Sequence, residues 1–338
     1  MTGLERVENC FHGRVVGRLP VLPMVHAGLA AHAGVSLREF FADAGTMSRV
    51  MVEGYQRFGF DGVQLSQGVT AEVEALGAKV DQSPDAAPVL REYLLADPAC
   101  LDKLRNRNAV TGGRLPLFFE AVESLCQRIG GEAFILATLR GPLVLGSQLR
   151  GVEDILIDMI ERPAVVDEIL SFATEIALQV ADPTLTAGAH GLLLGEATCS
   201  PNFISPEFYR RFVQSHHQRL VADLKQMGWR YVGLHVCGNI VSIIDDLIAT
   251  GVDFLDVDYQ VPASKAVELA GDRVALRGNL DPISVLRFGL PDEVRDKTES
   301  LCRDVSGRRW LVSSGCDIPP GTPAENLTAL VESVRAIK

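Results

Sequence analysis

The sequence predicts an α/β protein with a (β/α)8 TIM-barrel fold, and three observations lead to this class. Short apolar stretches alternate along the chain with longer stretches of helical character, which is typical of parallel strands joined by helices. The apolar stretches are nearly continuous, as expected for strands covered by helices on both faces. The chain has 338 residues, and α/β barrels of such length form a single unit. We therefore expect one barrel domain over residues 1–338.

Eight apolar stretches are candidate strands, and each runs into glycine, proline or polar residues. They comprise residues 19–25, 62–66, 133–142, 191–197, 231–238, 254–259, 274–282 and 309–317. A doubly wound sheet shows the same alternation with fewer strands, so this fold stays open as an alternative. Residues 70–130 look irregular, and we expect an insertion there, after the second strand.

Two of the intervening helices carry clear start signals. The segment 205–228 opens with Ser205 as a predicted N-cap and Pro206 at the first helical position. Near the carboxyl end of the chain, Thr322 and Glu325 have the spacing of a capping box.

Composition excludes several classes of function. The net charge of −11 is spread along the chain, which argues against nucleic-acid binding and against an electrostatic membrane surface. No apolar run approaches the ~18 residues that a membrane-spanning helix needs, and the first residues are too polar for a secretory signal. We expect a cytoplasmic protein whose seven cysteines are mostly free thiols.

Soft metal ligands stand at the ends of two candidate strands, where a TIM barrel carries its active site. His235 and Cys237 are two positions apart, so on a strand their side chains leave the same face. Cys316 ends the last candidate strand. Three such ligands with one open position are typical of catalytic zinc. The alternative is that the cysteines pack as small apolar side chains and the histidine is a hydrogen-bonded core residue.

Several motifs resemble those of a known family. They are "LHVCGN" (234–239), "LRGNLDPISVL" (276–286) and "SSGCDIPPGTPAENLTALVESV" (313–334), with further matches at 69–80, 141–151 and 204–221. Together they resemble the uroporphyrinogen decarboxylase superfamily, and within it the branch of zinc-dependent methylcobalamin:coenzyme M methyltransferases. The matches run in the family's order over nearly the whole chain.

The resemblance implies a site and a reaction. His235, Cys237 and Cys316 would be the catalytic zinc ligands, with Asp258 as a fourth ligand in preference to Asp256. The methyl donor would be a methyl-corrinoid, carried by a small corrinoid-binding protein that docks over the barrel mouth. The acceptor would be a zinc-activated thiol such as coenzyme M.

The decarboxylase branch makes different demands. Sequences of that branch carry "MRQAGR" after the first strand and an acidic "FSDI"-like segment after the second. This chain has "PMVHAGLAAHAG" (23–34) and "QLSQGVT" (64–70) instead, without the arginines that hold substrate carboxylates. A decarboxylase-like enzyme and a non-catalytic corrinoid- or tetrapyrrole-binding member of the superfamily remain the alternatives.

Other polar residues at strand ends are candidate contacts. Glu196, Asn279 and Asp281 are predicted to bind cofactor or substrate, although for Glu196 a strand end without chemistry is an equally good interpretation. His26 ends the first candidate strand and is a candidate for the pocket lining. His217 follows another histidine in a helix and is expected to be structural or solvent-facing.

Overall fold

Parallel strands form the main sheet of the protein in the computed structural model, which describes residues 1–337. The strands are β1 (Gly62–Ser66), β2 (Val80–Asp81), β3 (Val89–Leu90), β4 (Phe134–Arg140), β5 (Gly191–Gly195), β6 (Tyr231–His235), β7 (Phe254–Val257), β8 (Ala275–Leu280) and β9 (Trp310–Ser314). Within the described residues the order of the parallel sheet is β1-β4-β5-β6-β7-β8-β9, while β2 and β3 form a separate antiparallel pair. Each strand of the parallel sheet lies beside the next one in the chain, which is the order of a barrel and not of a doubly wound sheet.

The segment around Val21 links the two edge strands of this sheet. Val21 forms a parallel bridge with Val312 of β9. Its carbonyl accepts a hydrogen bond of 2.8 Å from the backbone N–H of Asp61, immediately before β1. The last strand is thereby connected to the first, and the architecture is of the TIM-barrel type.

Seven of the eight predicted stretches contain a strand of the parallel sheet, and the first does not. Residues 19–25 contribute one bridge residue instead of a strand. Pro20 and Pro23 flank that bridge, and proline has no N–H to donate to a ladder. Irregular backbone therefore occupies the position in the barrel that an eighth strand would fill.

Helices follow the strands around the sheet. The α-helices are α1 (Gly3–Phe11), α2 (Leu37–Ala42), α3 (Ala44–Phe58), α4 (Ala71–Ala75), α5 (Leu101–Arg105), α6 (Leu115–Ile129), α7 (Pro142–Arg150), α8 (Val152–Glu161), α9 (Pro163–Thr186), α10 (Pro206–Phe208), α11 (Gln214–Met227), α12 (Ile244–Ile248), α13 (Ala263–Ala270), α14 (Pro291–Asp304) and α15 (Ala324–Ala336). Over residues 1–337, none of the helices combines the length and the apolar character that crossing a membrane requires.

One of the two predicted helix starts is confirmed. The Ser205 hydroxyl accepts a hydrogen bond from the backbone N–H of Phe208 at the start of α10. The capping box at Thr322 is wrong, because the Thr322 hydroxyl donates instead to the carbonyl of Pro319 at 2.9 Å. That bond closes the turn before α15, which begins without a side-chain cap.

The region after β1 is irregular only in its first part. Up to residue 114 it consists of the short helices α4 and α5, a 3₁₀ turn at Pro98–Cys100 and the β2–β3 pair. Helix α6 then runs over fifteen residues and returns the chain to β4. The predicted insertion at 70–130 thus includes one regular barrel helix.

Helix α1 closes the amino end of the barrel. The ring centroid of Phe11 lies 4.7 Å from that of Tyr231 and 5.3 Å from that of Phe254, the residues that open β6 and β7. Phe11 belongs to an apolar cluster built from α1 and from the amino-terminal halves of the strands. Because this end is filled, the carboxyl ends of the strands are the place where a ligand can enter.

Candidate active site

Three side chains converge at the carboxyl ends of β6 and β9. The Nε2 atom of His235 lies 3.2 Å from the Sγ atom of Cys237 and 3.8 Å from the Sγ atom of Cys316. The two sulfur atoms are 3.9 Å apart. His235 is buried and both cysteines are partly buried. The structure therefore brings together the three residues predicted as catalytic and metal-binding.

The turn after β6 sets the position of Cys237. Gly238 follows it with φ of +83°, a conformation that residues with a side chain rarely adopt. The Gly238 N–H donates to Oδ2 of Asp258 at 2.9 Å, and Oδ1 of Asp258 accepts from the N–H of Gln260 at 2.9 Å. Asp258 thus holds this turn. In the described part of the chain, Asp258 is not in the group of ligand atoms that lie within 4.8 Å of one another at His235.

Asp256 of β7 orients the ring of His235. Its Oδ2 atom is 3.1 Å from Nδ1 of His235. Arg277 of β8 donates to both oxygens of the same carboxylate, at 2.7 Å from Nε and 2.6 Å from Nη2. All three side chains are buried. A carboxylate behind one ring nitrogen leaves the other nitrogen free to act as a ligand, and this arrangement is usual at metal-binding histidines.

Neighbouring charges shift the pKa values of the cluster. Burial disfavours the charged form of His235, but its hydrogen bonds to Asp256 and Cys316 raise its pKa to about 10. The hydrogen bond from Cys316 lowers the pKa of the Cys237 thiol, although burial opposes this. The same bond, together with burial, raises the pKa of Cys316. Cys237 is consequently the cysteine that more readily becomes a thiolate, the form that binds metals.

A cavity of about 140 Å³ opens onto these side chains. Its lining combines apolar and polar groups: Met24, His26, Gln64, Val69, Thr138, Arg140, Val144, Leu193, Gly195, Glu196, Ala197, His235, Cys237, Cys316 and Asp317. Drug-sized ligands occupy roughly 300–1,000 Å³, so this cavity suits a smaller molecule. His26 lines it, with Nε2 lying 3.0 Å from Oδ1 of Asp317.

Glu196 is a buried acid of the cavity wall. Its carboxylate accepts hydrogen bonds from the N–H groups of Leu143 and Val144, at 3.1 and 2.9 Å, in the first turn of α7. Nε2 of His217 lies 2.6 Å from the same carboxylate, and the Tyr209 hydroxyl lies 3.0 Å from Nδ1 of that ring. A carboxylate is stabilised at a helix amino end by the helix dipole. The hydrogen bonds of Glu196 therefore connect β5, α7 and α11.

Glu196, Cys199 and His217 also have ligand atoms within 4.8 Å of one another. All three side chains are buried. Burial raises the pKa of the Cys199 thiol well above its ordinary value, and the nearby Glu196 carboxylate raises it further. The Glu196 carboxylate and both ring nitrogens of His217 are already engaged in hydrogen bonds, so this second group is a hydrogen-bonded cluster.

Asn279 and Asp281 lie outside the cavity lining. The Asn279 amide donates to the carbonyl of Val261 at 2.7 Å. The Asp281 carboxylate accepts from the N–H groups of Ile283 and Ser284, at 2.8 and 3.0 Å, where the chain turns after β8. Both side chains hold loop backbone, and the structure does not bring them to the three candidate ligands.

From the sequence, His217 is expected to be structural or solvent-facing, and Arg140 is not among the candidate residues. The structure shows the structural alternative for His217, which is fully buried, as its position one helical turn from the apolar residues Val213 and Leu220 indicates. Arg140 lines the cavity at the end of β4. In the sequence, an arginine at the end of a largely apolar strand indicates such a position.

Comparisons with known proteins find relatives over nearly the whole chain. The family described as "Uroporphyrinogen decarboxylase (URO-D)" matches residues 2–337. Methylcobamide:CoM methyltransferase MtaA of Methanosarcina barkeri is 26% identical over 337 residues, which cover 96% of this chain and 95% of that protein. Uroporphyrinogen decarboxylase of Novosphingobium aromaticivorans is 26% identical over 341 residues, covering 96% of each chain.

A solved structure shows the same fold. It is described as a methyltransferase from Methanosarcina mazei, with a TM-score of 0.92, 24% identity and coverage of 99% of both chains. The relatives named as methyltransferases confirm the predicted resemblance and the prediction of an enzyme of the methyltransferase type. The match over nearly the whole sequence shows that the chain belongs to the uroporphyrinogen decarboxylase family.

Proposed function

We propose that this enzyme is a zinc-dependent methyltransferase that moves a methyl group from a methyl-corrinoid to a small thiol. The observation that carries the proposal is the convergence of one imidazole and two thiols, with ligand atoms within 4.8 Å, at the bottom of a small cavity. Relatives of similar length are named methylcobamide:CoM methyltransferases, which supports a corrinoid donor and coenzyme M or another thiol as the acceptor.

The donor set fits zinc. Two cysteines and one histidine are ligands that zinc prefers, and three protein ligands leave a position open for a substrate. Asp256 and Arg277 support His235 from behind, as expected for a metal-binding histidine. When bound there, zinc would supply Lewis acidity that lets a substrate thiol lose its proton near neutral pH. Asp258 stays a candidate fourth ligand, although its oxygens are engaged by backbone N–H groups.

The remaining residues shape the acceptor site. Met24, Val69 and Leu193 give the cavity apolar walls that suit the methylene groups of a small thiol. In the overall reaction the acceptor thiol loses its proton and its sulfur gains the methyl group. The methyl–Co(III) corrinoid becomes a Co(I) corrinoid. The product is a thioether.

The corrinoid must approach from outside, because a volume of about 140 Å³ does not hold a tetrapyrrole. Exposed apolar side chains lie on the segments that follow the carboxyl ends of the strands: Val69, Phe203, Tyr259, Ile283 and Phe288. Exposed aromatic side chains are enriched where proteins dock. They support docking of a small corrinoid-binding protein over the barrel mouth.

Decarboxylation is the second candidate, since decarboxylase-named relatives match the chain at 22–26% identity. The small cavity and the single arginine in its lining disfavour a substrate made of four pyrroles with many carboxylates. A non-catalytic binding role is disfavoured because all three candidate ligands are present and in contact.

One assay separates these functions. Purified protein is incubated with free methylcobalamin and a panel of thiols that includes coenzyme M and homocysteine, or in parallel with uroporphyrinogen, and the absorbance is followed. Thiol-dependent loss of the methylcobalamin spectrum with formation of a thioether is expected. Turnover of uroporphyrinogen, or binding of methylcobalamin without any demethylation, contradicts the proposal.

A further inference from the structure

Arg140 and His235 stand in one row across three neighbouring strands. Arg140 of β4 is paired in register with Gly195 of β5, and Gly195 is paired with His235 of β6. Neighbouring strands are about 4.8 Å apart, so the backbone of Arg140 is roughly 10 Å from that of His235. Both side chains line the same cavity.

Gly195 makes room for the guanidinium between them. A Cβ atom at Gly195 would lie 2.6 Å from Nη1 of Arg140. The guanidinium therefore lies over the middle strand of the row, on the side that leads to His235. The cavity that Arg140 and the three candidate ligands line has a volume of about 140 Å³, which suits a short molecule.

The guanidinium has hydrogen-bonding capacity to spare. Nη2 of Arg140 donates to the Ser66 hydroxyl at 2.8 Å, and among residues 1–337 no partner meets its buried Nε. The carboxylates of Glu72 and Asp317 are near enough to offset part of its charge, but within the described chain neither forms an ion pair with it. The Arg140 side chain is partly buried; a cation withdrawn from water without a paired anion is costly, and a bound anion relieves that cost.

The two histidines of the cavity lining are already engaged. His26 contacts Asp317, and His235 contacts Asp256. Gln64 donates to the Thr138 hydroxyl at 2.9 Å, while its buried Oε1 has no partner within the described residues. The wall around Arg140 thus offers polar groups to one end of a ligand.

We propose that Arg140 is the specificity-determining residue of the acceptor site and binds an anionic group at the far end of a short thiol. This inference rests on the proposed function for the thiol end, whereas the recognition of the anion rests on Arg140 and Gly195 alone. A carboxylate and a sulfonate have the same recognition chemistry here, since a guanidinium forms paired charge-assisted hydrogen bonds to either.

The test is equilibrium binding of thiols that differ in their tails. Isothermal titration calorimetry of the purified protein uses 3-mercaptopropionate and 2-mercaptoethanesulfonate as anionic probes, 2-mercaptoethanol as the neutral probe and cysteamine as the cationic probe. The wild type is expected to bind an anionic probe about tenfold or more tightly than 2-mercaptoethanol. Arg140→Gln is expected to bring that ratio close to one, and Arg140→Lys to keep part of it.

Two further variants keep the test independent of folding. Gly195→Ala pushes the guanidinium aside while keeping its charge, and it should reduce the anionic preference. Arg114→Gln removes an arginine that pairs with Glu74 outside the cavity lining, and it should leave the ratio unchanged. Thermal melts and metal content check each variant.

Equal binding of anionic and neutral probes by the wild type, or an unchanged ratio in Arg140→Gln, overturns the inference. Either result overturns the inference even if methyl transfer to thiols is observed. Conversely, an Arg140-dependent anionic preference without methyl transfer supports the inference and contradicts the proposed function. A preference for one of the two anionic probes identifies the carboxylate or the sulfonate as the natural tail.

Discussion

The Oδ2 atom of Asp256 lies 3.1 Å from the Nδ1 atom of His235, so the opposite ring nitrogen faces the two cysteines. Arg277 fixes that carboxylate with two hydrogen bonds from the next strand. The geometry of the three candidate ligands therefore depends on Asp256, a side chain of a different strand that orients the His235 ring.

Replacing Asp256 with asparagine is expected to weaken zinc binding about 10- to 100-fold, because the amide no longer fixes the His235 ring as strongly. Competition with a chromogenic chelator measures this affinity. Asp253→Asn is the matched control, since Asp253 pairs with Lys225 at the amino end of β7. Equal zinc affinities of the Asp256 variant and the wild type would show that the carboxylate does not support a metal ligand.

Removing the Glu196 carboxylate is expected to destabilise the fold. Glu196→Ala leaves the N–H groups of Leu143 and Val144 and the ring of His217 without their acceptor. Unsatisfied buried donors cost about 1–3 kcal/mol each, so for three donors we expect a loss of about 3 kcal/mol or more in the free energy of unfolding. Urea denaturation measures it, with the exposed Glu207→Ala as the control. A loss no larger than that of the control contradicts a structural role for Glu196.

Phe11 is expected to stabilise the barrel without affecting the site. Its ring packs on Tyr231 and Phe254 at the amino end, away from the cavity. Phe11→Ala should cost about 3–5 kcal/mol of unfolding free energy, as other buried Phe→Ala changes do. The exposed Phe288→Ala should cost far less. Loss of metal from folded Phe11→Ala protein would argue against this separation of stability and site.

A charge on the rim of the mouth should hinder the corrinoid carrier selectively. Phe203 is exposed on the loop after β5, and interface aromatics often dominate binding energy. We expect Phe203→Glu to slow transfer from a protein-bound methyl-corrinoid about tenfold more than transfer from free methylcobalamin. Val15→Glu serves as the control, because Val15 is exposed and lies in the amino-terminal segment of the chain, far in sequence from Phe203. Similar slowing of both donors by Phe203→Glu would place docking elsewhere.

Local patterns were enough to predict seven strands of the sheet and the placement of His235 beside Cys237. His235 and Cys237 follow an apolar run with strand spacing, and Cys316 follows another, so their meeting at one end of the barrel follows from the parallel fold. The first candidate strand failed because flanking prolines remove ladder donors, a chemical detail that the apolar pattern of residues 19–25 conceals.

Contacts between distant segments account for what the sequence did not predict. Strand alternation would place Asp256 and Asp258 on the same face. They differ because β7 ends at Val257, so Asp256 faces His235 whereas Asp258 holds the turn after β6. Likewise, the place of Arg140 beside His235 depends on strand register and on the absence of a side chain at Gly195. Neither register nor side-chain direction can be read from one strand alone.

The most direct test of the zinc site is metal analysis of the purified protein and its cysteine variants. We predict about one zinc per chain in the wild type, as expected for a catalytic site with three protein ligands. Cys237→Ala and Cys316→Ser should lose it, while Cys302→Ala, which alters a buried cysteine of α14, should keep it. Stoichiometric zinc retained in both Cys237→Ala and Cys316→Ser would contradict the account.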